Sequence, residues 1–295
     1  MNPQPAAANT DPRRTISFQG APGAYSDLAC RTARPELATL PCASFEDAFA
    51  AVRDGLAGLA MIPIENSVAG RVADIHHLLP DSTLHIIGEH YQRVNHHLLG
   101  LPGARIERLT HVHSHIHALN QCRVLIRALG LQAVVRLDTA GAAAEIAAEG
   151  DPTQAVIASE LAGDIYGLVS LRANIEDAAH NTTRFLIMAR EPLHPHPKGA
   201  PCMTSLIFRV RNVPAALYKA LGGFATNGVN ITKLESYLVG GRFNAAQFYA
   251  EVEGHPENRG LRLALEELGF FTREVRILGV YPQHPYRWDS GSDDE

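Results

Sequence analysis

Apolar residues recur along this chain with two periods, and the order in which the periods alternate predicts its architecture. From residue 15 to about residue 190, apolar runs of strand length alternate with segments whose apolar positions repeat at helical spacing. "TISFQG" reads as a strand and "AYSDLACRTA" as a helix. "SFEDAFAAVRDG" reads as a second helix, with Ser44 at its N-cap and Asp47 at the third position in an approximate capping box. "LAMIPI" is a strand, "RVADIHHLL" a helix, and "LHIIGEHYQRVNHHLLG" a long strand-like stretch suited to connecting two lobes. "LTHVHS", "HALNQCRVLIRALG", "QAVVRL", "AGAAAEIAAEG" and "AVIAS" continue as strand, helix, strand, helix, strand. This alternation predicts an α/β region with a mostly parallel sheet.

The pattern changes after "EPLHPHPKGAP" at 191–201, a Pro-rich stretch without periodicity that reads as a linker. Beyond it come a strand ("MTSLIFRV"), a helix ("PAALYKALGGFATNG"), two strands ("ITKLESYLVGG", "RFNAAQFYAEVEG"), a helix ("NRGLRLALEELG") and a strand ("TREVRILGVY"). That order is βαββαβ, the ferredoxin-like arrangement. The predicted division is a disordered tail at 1–14, a large α/β region at 15–190, the linker at 191–201, a second domain at 202–282 and a C-terminal tail at 283–295.

Composition removes several classes of function. The 295 residues are 46% hydrophobic, enough for more than one core, since single cores stop growing at roughly 250 residues. A net charge of −5 and a pI near 6.3 give no footprint for nucleic acid. "MNPQPAAANTDPRR" lacks the apolar segment of a secretory signal, and no run approaches the roughly 18 apolar residues of a membrane span. Cys30, Cys42, Cys122 and Cys202 are scattered without a CxxC, which reads as a reduced, cytoplasmic protein. His111, His113, His115 and His117 alternate, but their run crosses a strand end into a helix, so no metal site is expected.

Ligands of parallel α/β sheets bind beyond the carboxyl ends of strands, and several strand ends carry polar residues. "SFQGAPGAYS" enters a helix at Tyr25 and Ser26; "MIPIENSVAG" presents Glu65, Asn66 and Ser67 before the next helix; "VHSHIHALNQC" presents Ser114 and His115, with Gln121 about two turns on. Helix N-termini bind anions, so three such termini at one cleft would suit a small molecule with more than one carboxylate. No GxGxxG or P-loop indicates a nucleotide. "NTTRF" sets Asn181, Thr182, Thr183 and Arg184 at the mouth of the apolar strand "FLIMA". Thr183 offers a hydroxyl donor there. Arg184 offers a fork for a carboxylate, or an ion pair with a nearby Asp or Glu.

Taken in this order, "GAPGAYS", "PIENS", "SH…QC", "YGL" at 166–168, Asn174 to Asp177, and "NTTRF" resemble the prephenate dehydratase family. The resemblance covers residues 15 to about 281. It implies a two-lobed catalytic region folded like a type II periplasmic binding protein, with lobe 1 at about 15–92 plus 179–190 and lobe 2 at about 93–178, followed by an ACT domain. It also implies decarboxylating dehydration of prephenate to phenylpyruvate without metal or organic cofactor. Thr183 is then the catalytic residue. Tyr25, Ser26, Asn66, Ser67, Ser114, Gln121, Asn181 and Arg184 are then the substrate-binding set.

For the second domain the resemblance implies phenylalanine as effector and a homodimer or homotetramer. Asn212, Pro214, Leu217, Asn230, Glu235 and Ser236 match the effector pattern. Ala215 stands where the family usually has Gly, and Tyr237-Leu238 replaces its usual Arg-Pro. Arogenate is the rival substrate, and a non-enzymatic, amino-acid-responsive binding protein is the rival class.

Overall fold

The computed structural model describes residues 11–211, 213–239 and 242–289. The expected N-terminal tail lies outside them as far as residue 10, as do 290–295 of the C-terminal one. From β1 (Thr15–Gln19) the chain runs through α1 (Tyr25–Ala33), β2 (Ala38–Cys42), α2 (Phe45–Arg53), β3 (Leu59–Asn66), β4 (Gly70–Arg71), α3 (Ala73–Leu78) and β5 (His85–Arg93). It continues through β6 (His97–Gly100), β7 (His111–His115), α4 (Ile116–Gln121), α5 (Arg123–Ala128), β8 (Gln132–Arg136), α6 (Thr139–Glu149), β9 (Gln154–Ala158), α7 (Glu160–Tyr166), β10 (Val169–Arg172) and β11 (Thr182–Ala189). The remainder is β12 (Cys202–Val210), α8 (Ala216–Thr226), β13 (Ile231–Val239), β14 (Arg242–Glu253), α9 (Arg259–Phe271), β15 (Thr272–Pro282) and α10 (Tyr286–Asp289).

Two compact units result: residues up to Ile75 with His90–Phe185, and His76–Glu89 with Leu186 onward, so the division falls within β5 and β11. In the first sheet the order is β2-β1-β3-β11-β5, with β4 on β3. β1 runs parallel to β2 and β3, with Ile16 opposite Thr39 and Leu59. Its residues Thr15–Phe18 are all buried, as expected for a strand covered on both faces. Ser17 is tolerated there because its hydroxyl donates to the Ala48 carbonyl of α2 at 2.9 Å. Ser44 is the N-cap of α2 as expected: the Asp47 amide donates to Ser44 Oγ at 3.1 Å, and Ser44 Oγ donates to Asp47 Oδ2 at 2.9 Å.

A second sheet, β10-β6-β9-β7-β8, is mixed rather than mostly parallel. β7 runs parallel to β8 and β9, whereas β6 is antiparallel to β9 and β10. Period-2 alternation divides its core. Leu98, Val112, Ala155 and Ile157 face α4 and α5 residues such as Leu119 and Ile126. Leu99, Val156 and Ala158 face α6 and Ala162 of α7. The single helix expected over "HALNQCRVLIRALG" breaks at Cys122, whose backbone leaves the helical region (φ −125°, ψ 25°). The long strand-like stretch at 84–100 is likewise two strands in different sheets, joined through residues 94–96.

The second unit holds an antiparallel sheet, β13-β14-β12-β15, with α8 and α9 against one face. This is the βαββαβ order expected from the sequence. Leu206, Phe208, Phe224, Phe248, Val252, Leu261 and Leu268 form its core, and the Phe208 and Phe248 rings stack 5.3 Å apart. The expected boundary at 190 does not coincide with the compact unit, for a steric and electrostatic reason. A Cβ at Gly279 of β15 would lie 2.0 Å from the Ile86 carbonyl oxygen, so only glycine permits that approach. Arg276 donates to the Leu79 and Ser82 carbonyls at 3.0 and 3.2 Å. Residues 283–289, expected as part of a tail, instead carry Arg287. Its guanidinium grips Glu89 at 2.6 and 2.8 Å and reaches Glu251 at 3.1 Å.

Both carboxylate side chains of that cluster are fully buried. Removing the cation would leave two buried negative charges without it. Arg287→Ala should therefore lower the unfolding free energy by about 3–5 kcal/mol, measured by urea titration. A loss within the range of an exposed ion pair, under about 1 kcal/mol, would show that the cluster does not hold this unit together.

Candidate active site

The polar strand ends are built by different local devices. After β1 the chain turns through Gly20 (φ +123°) and Gly23 (φ +87°) before α1 begins. Ser159 donates to the Gly23 carbonyl at 2.5 Å and Tyr166 to the Pro22 carbonyl at 2.9 Å. A Cβ at Gly23 would lie 2.7 Å from Ala162 Cα. The "GAPG" turn is thus seated on the start of α7, and the tyrosine of "YGL" is one of its fasteners.

"IENS" does not lead into a helix. β3 ends at Asn66, and a turn returns the chain as β4, antiparallel to β3. Asn66 Oδ1 accepts from the Val68 and Ala69 amides at 3.0 and 2.8 Å, the local bond by which Asn favours turns over helices. The expected convergence of three helix N-termini is corrected accordingly. α1 begins beside Tyr25 and Ser26, α4 is only six residues long, and no helix starts at Asn66–Ser67.

Tertiary packing brings five of the predicted side chains into one continuous set of hydrogen bonds. Asn66 Nδ2 donates to Thr183 Oγ1 at 2.9 Å and to Asn181 Oδ1 at 2.8 Å. Asn181 Nδ2 donates to Gln121 Oε1 at 2.9 Å. His96 Nε2 lies 2.9 Å from the same oxygen, and His96 Nδ1 lies 2.8 Å from the Tyr25 hydroxyl. Asn181 is 1% exposed, and its bonds satisfy the rule that buried polar groups are paired. Thr183 is partly exposed, whereas its neighbours Thr182 and Arg184 through Met188 are buried. Along a strand that goes into the core, Thr183 is the partly exposed residue at the mouth.

His96 was not among the residues singled out from the sequence. One of 15 histidines, in a segment that reads as a strand, it carries no local signal. Burial lowers its pKa, against upward pulls from the Gln121 hydrogen bond and the Glu176 carboxylate. Burial likewise raises the Tyr25 hydroxyl well above its ordinary pKa. The loop at 174–177 supports this corner. Ile175 donates its amide to the His96 carbonyl at 3.0 Å, and Glu176 Oε2 accepts from the His96 amide at 2.9 Å. Asp177 accepts from the Arg123 and Val124 amides and so caps α5.

Other predicted residues are committed elsewhere. Ser114 is fully buried and donates to the Ile157 carbonyl at 2.6 Å, a tie between β7 and β9. Ser67 donates to the His180 carbonyl at 2.7 Å and accepts from the Thr182 amide at 2.9 Å, fastening the end of β3 to the start of β11. Arg184 forms an ion pair with Glu65 at 2.9 Å, with its guanidinium 5.9 Å from the Tyr91 ring centre. Ser26 is partly exposed on the first turn of α1. Cys122 is no nucleophile candidate, because burial, then Asp177 and Glu176, push its thiol pKa far up. His113 is bonded to Gln154 and Arg136, and His115 accepts from the His117 amide at the start of α4.

In the second unit, Ala215 lies ahead of α8 with a left-handed backbone (φ 60°). Leu217 packs against the core, Asn230 is exposed ahead of β13, and Glu235 and Ser236 lie within β13. Glu235 lies 3.6 Å from Lys233. Asn212 lies outside the described residues.

A family model described as prephenate dehydratase matches residues 16–193. A bifunctional N-acyl-homoserine lactone acylase/prephenate dehydratase of Komagataeibacter europaeus is 56% identical over 274 residues, covering 93% of this chain and 98% of that protein. Arogenate dehydratase/prephenate dehydratase 1 of Arabidopsis thaliana is 40% identical, covering 96% of this chain and 77% of its own. Among solved structures, a prephenate dehydratase of Arthrobacter aurescens in complex with L-Phe is similar at a TM-score of 0.84 and 28% identity, covering 91% of this chain and 90% of that one. No helix among the described residues is long and apolar enough to cross a membrane.

The seating of the first turn on α7 can be tested by two glycines. Gly23 and Gly70 both have positive φ, but a Cβ at Gly70 meets nothing within 4 Å. Gly70→Ala should cost about 1 kcal/mol of stability from backbone strain alone. Gly23→Ala should cost roughly 1–3 kcal/mol more from the clash with Ala162, read as the difference between the two in denaturant titration. Equal losses would mean that the close approach carries no energy.

Proposed function

Because the chain belongs to the prephenate dehydratase family, we propose that it converts prephenate to phenylpyruvate, carbon dioxide and water, with Thr183 as the donor to the departing hydroxyl. The observation that carries this reading is the position of Thr183: partly exposed on a buried strand, it accepts from Asn66 Nδ2 and so keeps its own proton for a ligand. In the reaction the bond to the ring carboxylate breaks, its electron pair enters the ring, and the carbon–oxygen bond breaks as hydroxide leaves. One proton, ultimately from solvent, completes the water. Aromatisation supplies the driving force, so the protein needs only to orient the dianion and stabilise the leaving oxygen.

Donors left over from the hydrogen-bond set suit that task. Gln121 Oε1 is taken by two donors, which directs its amide NH2 elsewhere. Thr183 Oγ–H, Ser26 Oγ–H and the first amides of α1 are further donors of the kind that carboxylates call for. Arg184, paired with Glu65, acts in this reading as a buried support for the strand mouth. The expected type II two-lobed architecture and the ACT assignment of the βαββαβ unit follow from the same family reading. So do phenylalanine as effector and a homodimer or homotetramer. The Arthrobacter relative's complex with L-Phe supports the effector, and the plant relative's name keeps arogenate as the rival substrate.

Purified protein incubated with prephenate should form phenylpyruvate without added metal or cofactor. Thr183→Ala should lower kcat roughly 100- to 1000-fold, the range for loss of one donor to a developing oxyanion, with an unchanged melting temperature. Near-normal turnover by that variant would remove Thr183 from the mechanism. A parallel incubation with arogenate decides the substrate. Another with an N-acyl-homoserine lactone tests the second activity named for the Komagataeibacter relative. Amide hydrolysis calls for a base beside the nucleophile, and the partner of Thr183 is the Asn66 amide, so turnover is expected on prephenate.

Ala215 yields a separate test in the second unit. Its left-handed backbone costs an L-residue about 1–2 kcal/mol. Ala215→Gly should raise stability by about 0.5–1 kcal/mol, after the greater unfolded-state freedom of glycine is subtracted. Measured in the presence of phenylalanine, the same variant should keep or strengthen the effector's inhibition. Loss of inhibition would detach this loop from effector binding.

A further inference from the structure

The hydrogen-bond set behind Thr183 has two anchors, and they govern different donors. At one end the Val68 and Ala69 amides donate to Asn66 Oδ1. That fixes which end of the Asn66 amide faces Thr183, so the threonine accepts and keeps its proton free. At the other end lies His96, 2% exposed, with Nε2 at 2.9 Å from Gln121 Oε1. The tautomer follows from the chain of donors. Asn181 Oδ1 accepts from Asn66, so Asn181 Nδ2 must donate to Gln121, and the atom of Gln121 that receives it is an acceptor. His96 meets that acceptor and must carry its proton on Nε2. Nδ1 is then an acceptor, and the one proton of the Tyr25 hydroxyl is shared between it at 2.8 Å and the Asn95 carbonyl at 2.7 Å.

Building on the reaction proposed above, we propose that His96 is a positioning residue for substrate binding: its Nε2–H holds Gln121 with the amide NH2 turned outward, as a donor to a substrate carboxylate. Without that bond Gln121 Oε1 keeps one donor instead of two, and the amide is free to turn its oxygen toward an anion. Thr183 is unaffected by this change, because Asn66 is oriented by the backbone amides of its own turn. The two ends of one network thus separate into the two kinetic constants. Asn66 serves the step in which the hydroxyl leaves. His96 serves an interaction present in ground state and transition state alike, which appears in KM. His96 is held for this task from its main chain as well, through Ile175 and Glu176.

The test compares the wild-type protein, His96→Leu and His96→Gln on prephenate. Glutamine carries an amide N–H near the position of Nε2; leucine fills the space without a donor. His96→Leu should raise KM roughly 10- to 100-fold, the worth of a hydrogen bond to a charged group, with kcat within about twofold. His96→Gln should recover most of the lost KM. Calorimetric titration with prephenate in a Thr183→Ala background, where turnover is suppressed, should show the same fold-change in Kd. A merely structural histidine predicts the opposite split: less active protein at unchanged KM, with no recovery in His96→Gln. That result, or unchanged Kd in His96→Leu, would overturn the assignment while leaving the dehydratase reading intact. A wild-type protein that neither binds nor converts prephenate would overturn both.

Discussion

The direction of one buried hydrogen-bond chain governs what this site offers to a ligand. An amide side chain is a donor at one end and an acceptor at the other, and in the interior it cannot leave either end unpaired without cost. Asn66, Asn181 and Gln121 are joined donor to acceptor. The sequence of orientations starts at two backbone amides and ends at an imidazole. Every side-chain amide oxygen in the chain accepts at least one internal hydrogen bond. The groups that remain are donors, which is the polarity that an anion with a departing hydroxyl calls for. A single reversed amide would place an oxygen where the proposed reading puts a carboxylate.

That chain depends on packing from distant parts of the sequence. Asn66 comes from the end of β3, Gln121 from the end of α4, and Asn181 from the residue before β11. Each is supported by bonds that never reach the ligand. Ser67 fastens β3 to β11, Asp177 caps α5 and holds the Gln121 carbonyl through its amide, and Ser114 ties β7 to β9. The seat of the "GAPG" turn on α7 places Tyr25 in reach of His96. In the second unit a comparable dependence is electrostatic: Arg287 satisfies Glu89 and Glu251, carboxylates with no exposed side-chain surface.

Much of the fold was legible in the sequence because it is written in local periods. The N-cap at Ser44, the α/β alternation and the βαββαβ order all appear in the structure. Among the features that went against the reading, two have a local reason and one a topological one. Cys122 interrupts what read as one helix, the Asn66 turn replaces what read as a helix entry, and β6 and β10 make the second sheet mixed. Strand direction depends on how connections cross the sheet, which the apolar pattern of a single strand does not record.

For the site, the sequence by itself determined which residue types stand at which strand ends: Asn66, Gln121, Asn181, Thr183 and Arg184 are visible as polar residues where apolar strands begin or end. Tertiary structure decided what each of them does. Arg184 meets Glu65 across two strands 119 residues apart. Ser67 and Ser114 spend their hydroxyls on carbonyls 113 and 43 residues distant. His96, silent in its own segment, becomes the end of the amide chain only when α4 is brought to it. The reason is that a hydrogen bond's direction is a property of a pair. A sequence names the donors and acceptors that a chain carries, and only the fold determines which of them are already taken.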